Sequence, residues 1–302
     1  MTPRHALLAV LGLWLLSVAV VLSMRWDNLV ALNFIDPDDA LRLVEVRDWL
    51  AGQSWFDVTQ YRINPPVGGP MHWSRLVDIP IAACIRLLSL FVEQGLAERL
   101  ALCIVPFSLL LALFLTLHRL TVRVSGRQAV SVAAAAMLAT SVSVLIQFQA
   151  LRIDHHGWQI LLGTLAVLLL LALRERDAAG GLWPGLVMAF SLIVALESLP
   201  LAMLLGGVLA LRYLIRAEAW AGIAAYLAAL AGGGALLLLA TLGWRRGLVP
   251  WCDSLSPAYI LPLAATAAIL LAARLVPQRQ AWQRLLALGA AGAAGAATFQ
   301  TA

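Results

Sequence analysis

Charge is scarce in this 302-residue chain: Asp, Glu, Lys and Arg make up 12% of it, about half the share in an ordinary soluble domain. With 62% hydrophobic residues, that scarcity excludes a soluble globular protein. No basic tract is present, so the net charge of +5 does not describe a nucleic-acid surface. Cysteine is equally sparse. Cys84, Cys103 and Cys252 form no CxxC pair, and an odd count gives no disulfide framework, so they read as apolar fillers. The start lacks a clean small-x-small cleavage site. The apolar run 6–23 behind Met1 to His5 therefore reads as a retained first span rather than a removed signal peptide. No internal repeat is visible, and no charged residue sits deep in a span; both weigh against a transporter.

What is present is a series of long apolar runs. The expected fold class is all-α: a polytopic helical membrane protein with a large first external loop that carries short amphipathic helices. Candidate spans are 6–23, 99–118, 128–148, 157–173, 182–197, 199–215, 219–242, 257–274 and 282–299. Segment 77–92 is apolar but short, and contains Asp78, Pro80 and Arg86. It fits a helix lying at the interface or packed on the bundle better than a span. Leaving it out places the 118–127 loop, Arg174-Glu175-Arg176, Arg212, Arg216, Arg274, Arg279 and Arg284 on the same side as Arg4. That satisfies the positive-inside rule, with Arg245-Arg246 the main exception. Segment 24–98 then becomes the first external loop. Within it, 38–53 has helical spacing, with Leu41, Val44 and Leu50 alternating with Arg42, Glu45, Arg47 and Asp48 behind an Asp-rich turn.

In this topology the scattered carboxylates and histidines reach one membrane face. Ionisable groups near a bilayer are costly, so such a cluster is a candidate site. Asp154-His155-His156 opens an apolar run. A carboxylate and an imidazole two positions apart can both reach one divalent ion, or Asp154 can simply cap the next helix. Asp36-Pro37-Asp38-Asp39 offers further oxygen ligands, or a capping turn that accounts for one of its carboxylates. His72-Trp73 follows a Gly/Pro turn, from which the imidazole could join the same ion. Glu197 ends span 182–197. Its possible roles are metal ligand, partner to a ligand, acceptor contact, or a carboxylate reaching external water. Arg245 and Arg246 suit a phosphate or pyrophosphate headgroup, or pair locally with Asp253. The small-residue tract with Gly289, Gly292 and Gly295 lets helices approach closely.

The chain resembles the catalytic membrane domain of oligosaccharyltransferases, especially the archaeal type, within the GT-C glycosyltransferase superfamily. Carrying the resemblance are Asp36 through Glu45, Arg47-Asp48-Trp49-Leu50-Ala51-Gly52, His72-Trp73, Gly126-Arg127 and Asp154-His155-His156, in the family's order, over roughly residues 1–175. The resemblance implies a polyprenyl-linked sugar donor and a divalent metal, Mn²⁺ or Mg²⁺. It implies a metal site of Asp38, His72, Asp154 and His156, with Asp36 and Asp39 as alternatives for the first position. The family's Trp-Trp-Asp motif and soluble domain are absent, as is a late Thr-Ile-x-Glu. The acceptor is accordingly open among protein, lipid and polysaccharide, and the chain is expected to be a fragment without its C-terminal portion.

The expected function is inverting sugar or glycan transfer from a polyprenyl-phosphate or -pyrophosphate donor, on the external face of a bacterial or archaeal cytoplasmic membrane. Asp38, Asp39 and Glu197 are the catalytic candidates. Arg245 and Arg246 would hold the donor headgroup, and segment 77–92 would shape the lipid entry face. Membrane lipid is an expected partner and nucleic acid is not. The competing classes are a transporter or flippase for a lipid-linked or polar solute, and a structural membrane subunit.

Overall fold

The structure, a computed structural model, describes residues 1–172 and 178–301. It is an all-α polytopic membrane protein that divides into two compact units, Met1–Thr164 and Leu165–Ala302. Among the described residues, four helical stretches are long and apolar enough to cross a membrane: Pro3–Ala31, Gln94–Ser125, Leu196–Ile215 and Ala217–Gly247. Three shorter apolar helices, His156–Ala172, Ala179–Val194 and Pro257–Ala273, accompany them. The Arg174-Glu175-Arg176 loop lies outside the described residues.

The first unit opens with α1 (Pro3–Ala31), which Thr2 starts by accepting a hydrogen bond from the His5 N–H at 3.3 Å. The helix continues past the expected span end at residue 23 and stops at Leu32, whose φ of 51° is left-handed. At 1.5 Å per residue it is about 43 Å long, more than the ~30 Å hydrocarbon core. Of its buried residues, Ala6, Val10, Ser17 and Val21 form one narrow stripe, and Leu29 near the end lies off it. Val10 packs on Leu110, Leu113 and Phe114 of α4 (Gln94–Ser125) and on Ala135 and Leu138 of α5 (Gln128–Thr140).

Between α1 and α4 lie α2 (Pro37–Leu50), a two-residue antiparallel ladder of β1 (Thr59–Gln60) with β2 (Gly69–Pro70), and α3 (Asp78–Leu88). The 11 residues of α3 rise about 16 Å, short of a crossing. They pack Ile81, Ala82 and Ile85 into a core with Leu43 and Val46 of α2 and Ala101, Leu102 and Val105 of α4.

The expected straight span 128–148 is instead bent by 69° between α5 and the stretch Val142–Phe148, made of α6 (Val142–Leu145) and a short 3₁₀ turn. Ser141 at the break has a non-helical ψ of 89°. Just before it, the Thr140 hydroxyl donates back to the Ala136 carbonyl at 3.2 Å, a side-chain bond of the kind that loosens and bends helices.

A proline in α4 then fixes the segment that follows. Pro106 has no N–H, so the carbonyl of Leu102 loses its helical donor. The backbone N–H of Leu151 supplies one at 2.9 Å, with Leu151 itself at a φ of 74°. This bond anchors the turn leading to Asp154 on a spanning helix. α7 (His156–Ala172) follows the turn.

The second unit holds α8 (Ala179–Val194), α9 (Leu199–Ile215), α10 (Trp220–Gly247), α11 (Pro257–Ala273) and α12 (Ala281–Thr301). α8 lies against α10 through glycines. A Cβ on Gly185 would stand 2.7 Å from the Tyr226 carbonyl oxygen, so only glycine permits this approach. Of the small-residue tract, Gly295 meets α11, where a Cβ would stand 3.2 Å from the Pro262 oxygen, while Gly289 and Gly292 face open space. α10 kinks at Gly243, whose φ of 68° lies outside helical space.

Candidate metal centre

Asp36 caps α2, its Oδ1 accepting the Asp38 N–H at 3.0 Å, while Pro37 occupies the first helical position. Asp39 stands three residues on, on the same helical face. Its Oδ1 accepts the N–H groups of Ile153 and Asp154 at 2.8 and 3.0 Å. The start of α2 and a loop more than a hundred residues away are thereby stitched together. Asp154 Oδ1 accepts the His156 N–H at 3.0 Å and so starts α7. One oxygen of each carboxylate is thus held by backbone N–H, and the other turns inward.

The inward oxygens meet at Arg152. Its Nη1 donates to Asp36 Oδ2 at 2.6 Å and to Asp39 Oδ2 at 2.9 Å, and its Nη2 lies 2.8 Å from Asp154 Oδ2. His156 Nδ1 is 2.7 Å from Asp154 Oδ2 and 3.2 Å from Arg152 Nη2. Gln147 accepts from Arg152 Nε at 3.0 Å. Beside the cluster is a cavity of about 260 Å³ bordered by Arg25, Asp36, Asp39, Gln147 and Arg152.

Electrostatics separates the carboxyls. The hydrogen bond from Arg152 holds Asp36 below the usual carboxylate range. Burial, reinforced by the charge of Asp154, pushes Asp39 up to about 6. Burial also presses Asp154 upward, but its bonds from His156 and the charge of Arg152 outweigh that and hold it low. Ligand atoms of Asp36, Asp39 and Asp154 lie within 4.8 Å of one another, as do those of Asp154, His155 and His156. The first set is all oxygen and suits a hard divalent cation, and the second adds imidazole nitrogen at the shared Asp154. Three carboxylates against one guanidinium leave a charge deficit that such an ion would balance.

Of the residues expected to form the site, Asp36, Asp39, Asp154 and His156 converge. Asp38, expected at the first metal position, does not; one residue short of Asp39 on the helix, it is turned about 100° away from that face. It contributes its backbone N–H to Asp36. His72 is exposed on the loop after β2, edge-on to Trp73 with ring centroids 5.6 Å apart, and its nitrogens are not among the converging atoms. Glu197 belongs to the second unit, exposed in a 3₁₀ turn (Leu196–Ser198), as do Arg245 and Arg246, which follow the Gly243 kink. Sequence reasoning missed Arg152. The only signal was its place two residues ahead of Asp154.

A second network, also unforeseen, holds α2 in place. The face of α2 expected to be polar is partly buried: Arg42 and Glu45 lie inside with Leu43 and Val46. Arg42 survives there because its Nη1 donates to Asp78 Oδ1 at 2.7 Å and its guanidinium sits 4.9 Å from the centre of the Trp73 ring. Arg75, likewise buried, lies 3.7 Å from the other Asp78 oxygen and donates to the Trp55 and Asp57 carbonyls and to Gln53.

Burial, with Asp78 close by, pushes Glu45 up to about 8. Between its ordinary value of 4.5 and about 8 the folded chain holds a proton that the unfolded chain has released. Stability is therefore expected to fall as pH rises through that window and to level off above it. Melting curves of wild type and Glu45→Gln at pH 6 and 8.5 check this. The wild type should lose more than the variant, and parallel shifts would count against a protonated Glu45.

No protein-family model matches the chain, and no curated protein matches it in sequence. Among solved structures, it is similar to the archaeal oligosaccharyltransferase AglB from Archaeoglobus fulgidus, in complex with an inhibitory peptide and a dolichol-phosphate. The TM-score is 0.57 at 14% identity, over 96% of this chain and 33% of the AglB chain. At that identity the likeness is one of fold, and the present chain spans about a third of the length of the protein it matches.

Proposed function

We propose that this chain is a membrane glycosyltransferase of GT-C type, moving a sugar or glycan from a polyprenyl-phosphate or -pyrophosphate donor to an acceptor on the non-cytoplasmic face. The observation that carries the reading is the gathering of Asp36, Asp39, Asp154 and His156 around the guanidinium of Arg152. It sits on a fold similar to that of an oligosaccharyltransferase whose structure holds a dolichol-phosphate. Asp36, Asp154 and His156 would hold a divalent ion, Mg²⁺ or Mn²⁺. When bound, that ion would offset negative charge on the leaving phosphate.

Asp39, with its carboxyl pushed up to about 6, is suited to accept the proton of the attacking acceptor group. The acceptor atom bonds the sugar's anomeric carbon as the bond to the phosphate oxygen breaks, and the configuration inverts. The acceptor is a protein, lipid or polysaccharide of the external compartment.

The test is donor consumption by the purified protein in liposomes, using a polyprenyl-pyrophosphate-linked sugar with candidate acceptors. Transfer should require Mn²⁺ or Mg²⁺, stop with EDTA and return on adding the ion back. Donor left intact with every acceptor class would sink the reading.

A transporter is the second reading. The feature favouring it is the 69° break just ahead of the acidic cluster, since broken helices line transporter sites. Movement of the lipid-linked sugar across the bilayer without cleavage would be its signature in the same liposomes.

A further inference from the structure

We propose that Arg152 is an exchangeable occupant of the acidic cluster: its guanidinium and a divalent cation compete for the same carboxylate oxygens, those of Asp36 and Asp154, and release of the guanidinium frees the Asp39 oxygen. The inference rests on the metal-site reading above and adds a regulatory step to it. The argument is one of oxygens. Asp36 Oδ1, Asp39 Oδ1 and Asp154 Oδ1 each accept backbone N–H groups at 2.8–3.0 Å, bonds that the fold itself sets. The Oδ2 atoms of the same residues are the ones that converge, and all are bonded to Arg152, at 2.6, 2.9 and 2.8 Å. A cation bound among these oxygens must take the place of the guanidinium.

The rest of the site permits the exchange. The carboxylates are held by the backbone, so they stay in place when the arginine leaves. Arg152 borders the 260 Å³ cavity, which offers room for its side chain next to Arg25. Without the cation, the guanidinium keeps mutually repelling carboxylates together. With the cation, it is released as a positive group at the cavity edge. The positive charge in the cluster is thus handed from a residue to an ion.

Mn²⁺ titration calorimetry and thermal melting on detergent-solubilised wild type, Arg152→Gln and Arg152→Lys test this. Arg152→Gln should bind Mn²⁺ about tenfold more tightly than wild type. It should melt lower than wild type without metal and gain more in melting temperature on adding Mn²⁺. A folded Arg152→Gln that binds Mn²⁺ no more tightly than wild type would overturn the exchange, because the arginine then merely arranges the carboxylates. If Arg152→Gln does not fold, Arg152→Lys decides. Its single ammonium cannot bridge all three oxygens, so tighter binding than wild type supports exchange and equal or weaker binding overturns it. Failure of wild type and both variants alike to bind Mn²⁺ would instead remove the metal-site reading itself.

Discussion

Asp154→Ala should abolish donor transfer, by about a thousandfold or more, while the protein still inserts and melts cooperatively. Asp154 Oδ2 faces Arg152 and His156 together, so removing it takes a ligand from both halves of the cluster. The fold should tolerate the loss. Asp39 still holds the Ile153 N–H, Leu151 still bonds Leu102, and Arg152 keeps Asp36 and Asp39 as partners. Transfer assays beside melting curves separate the two effects. A variant with full activity would remove Asp154 from the site, and one that no longer folds would recast it as a structural cap.

The second large effect should be on stability. Asp78→Ala is expected to destabilise the protein by about 3–5 kcal/mol, because it strands a buried guanidinium. Arg42 is wholly buried, and Asp78 supplies its ionic partner at 2.7 Å. Two other Arg42 nitrogens already lack hydrogen-bond partners, so the remaining charge would have nowhere to turn. The damage should reach the site, since Arg42 rides on α2 with Asp36 and Asp39 at its start. Melting in detergent should show the loss, with weaker Mn²⁺ binding at temperatures where the variant remains folded. A shift within a degree or two of wild type would mean that water enters to solvate Arg42.

Local chemistry was legible in the sequence where it depends on neighbours in the chain. The turn at Asp36-Pro37 announces a helix start, and the structure begins α2 there. The apolar runs mark the helices, and the short, charge-bearing segment 77–92 yields the brief α3 rather than a long helix. Convergence in space was not legible. Asp36, Asp38 and Asp39 look equivalent along the chain; helical rotation distinguishes them, and the partner at Ile153-Asp154 selects Asp39. Arg152 reads as one more loop arginine until the distant start of α2 is brought against it. The buried charge on α2 defeats an amphipathic reading, because Arg42 is inside through the carboxylate partner that α3 supplies, and Glu45 is inside with its carboxyl pushed up to about 8. The bend at Ser141 is equally local in cause, yet a polar residue inside an apolar run carries no angle in the sequence.

The most direct measurement is Mn²⁺ titration calorimetry of the solubilised protein, wild type against Asp154→Ala. Saturable binding at one site per chain in the wild type, lost in a variant that melts like it, is the result expected of a cation site held by Asp36, Asp154 and His156. Undiminished binding in Asp154→Ala, or none in a well-folded wild type, would contradict it.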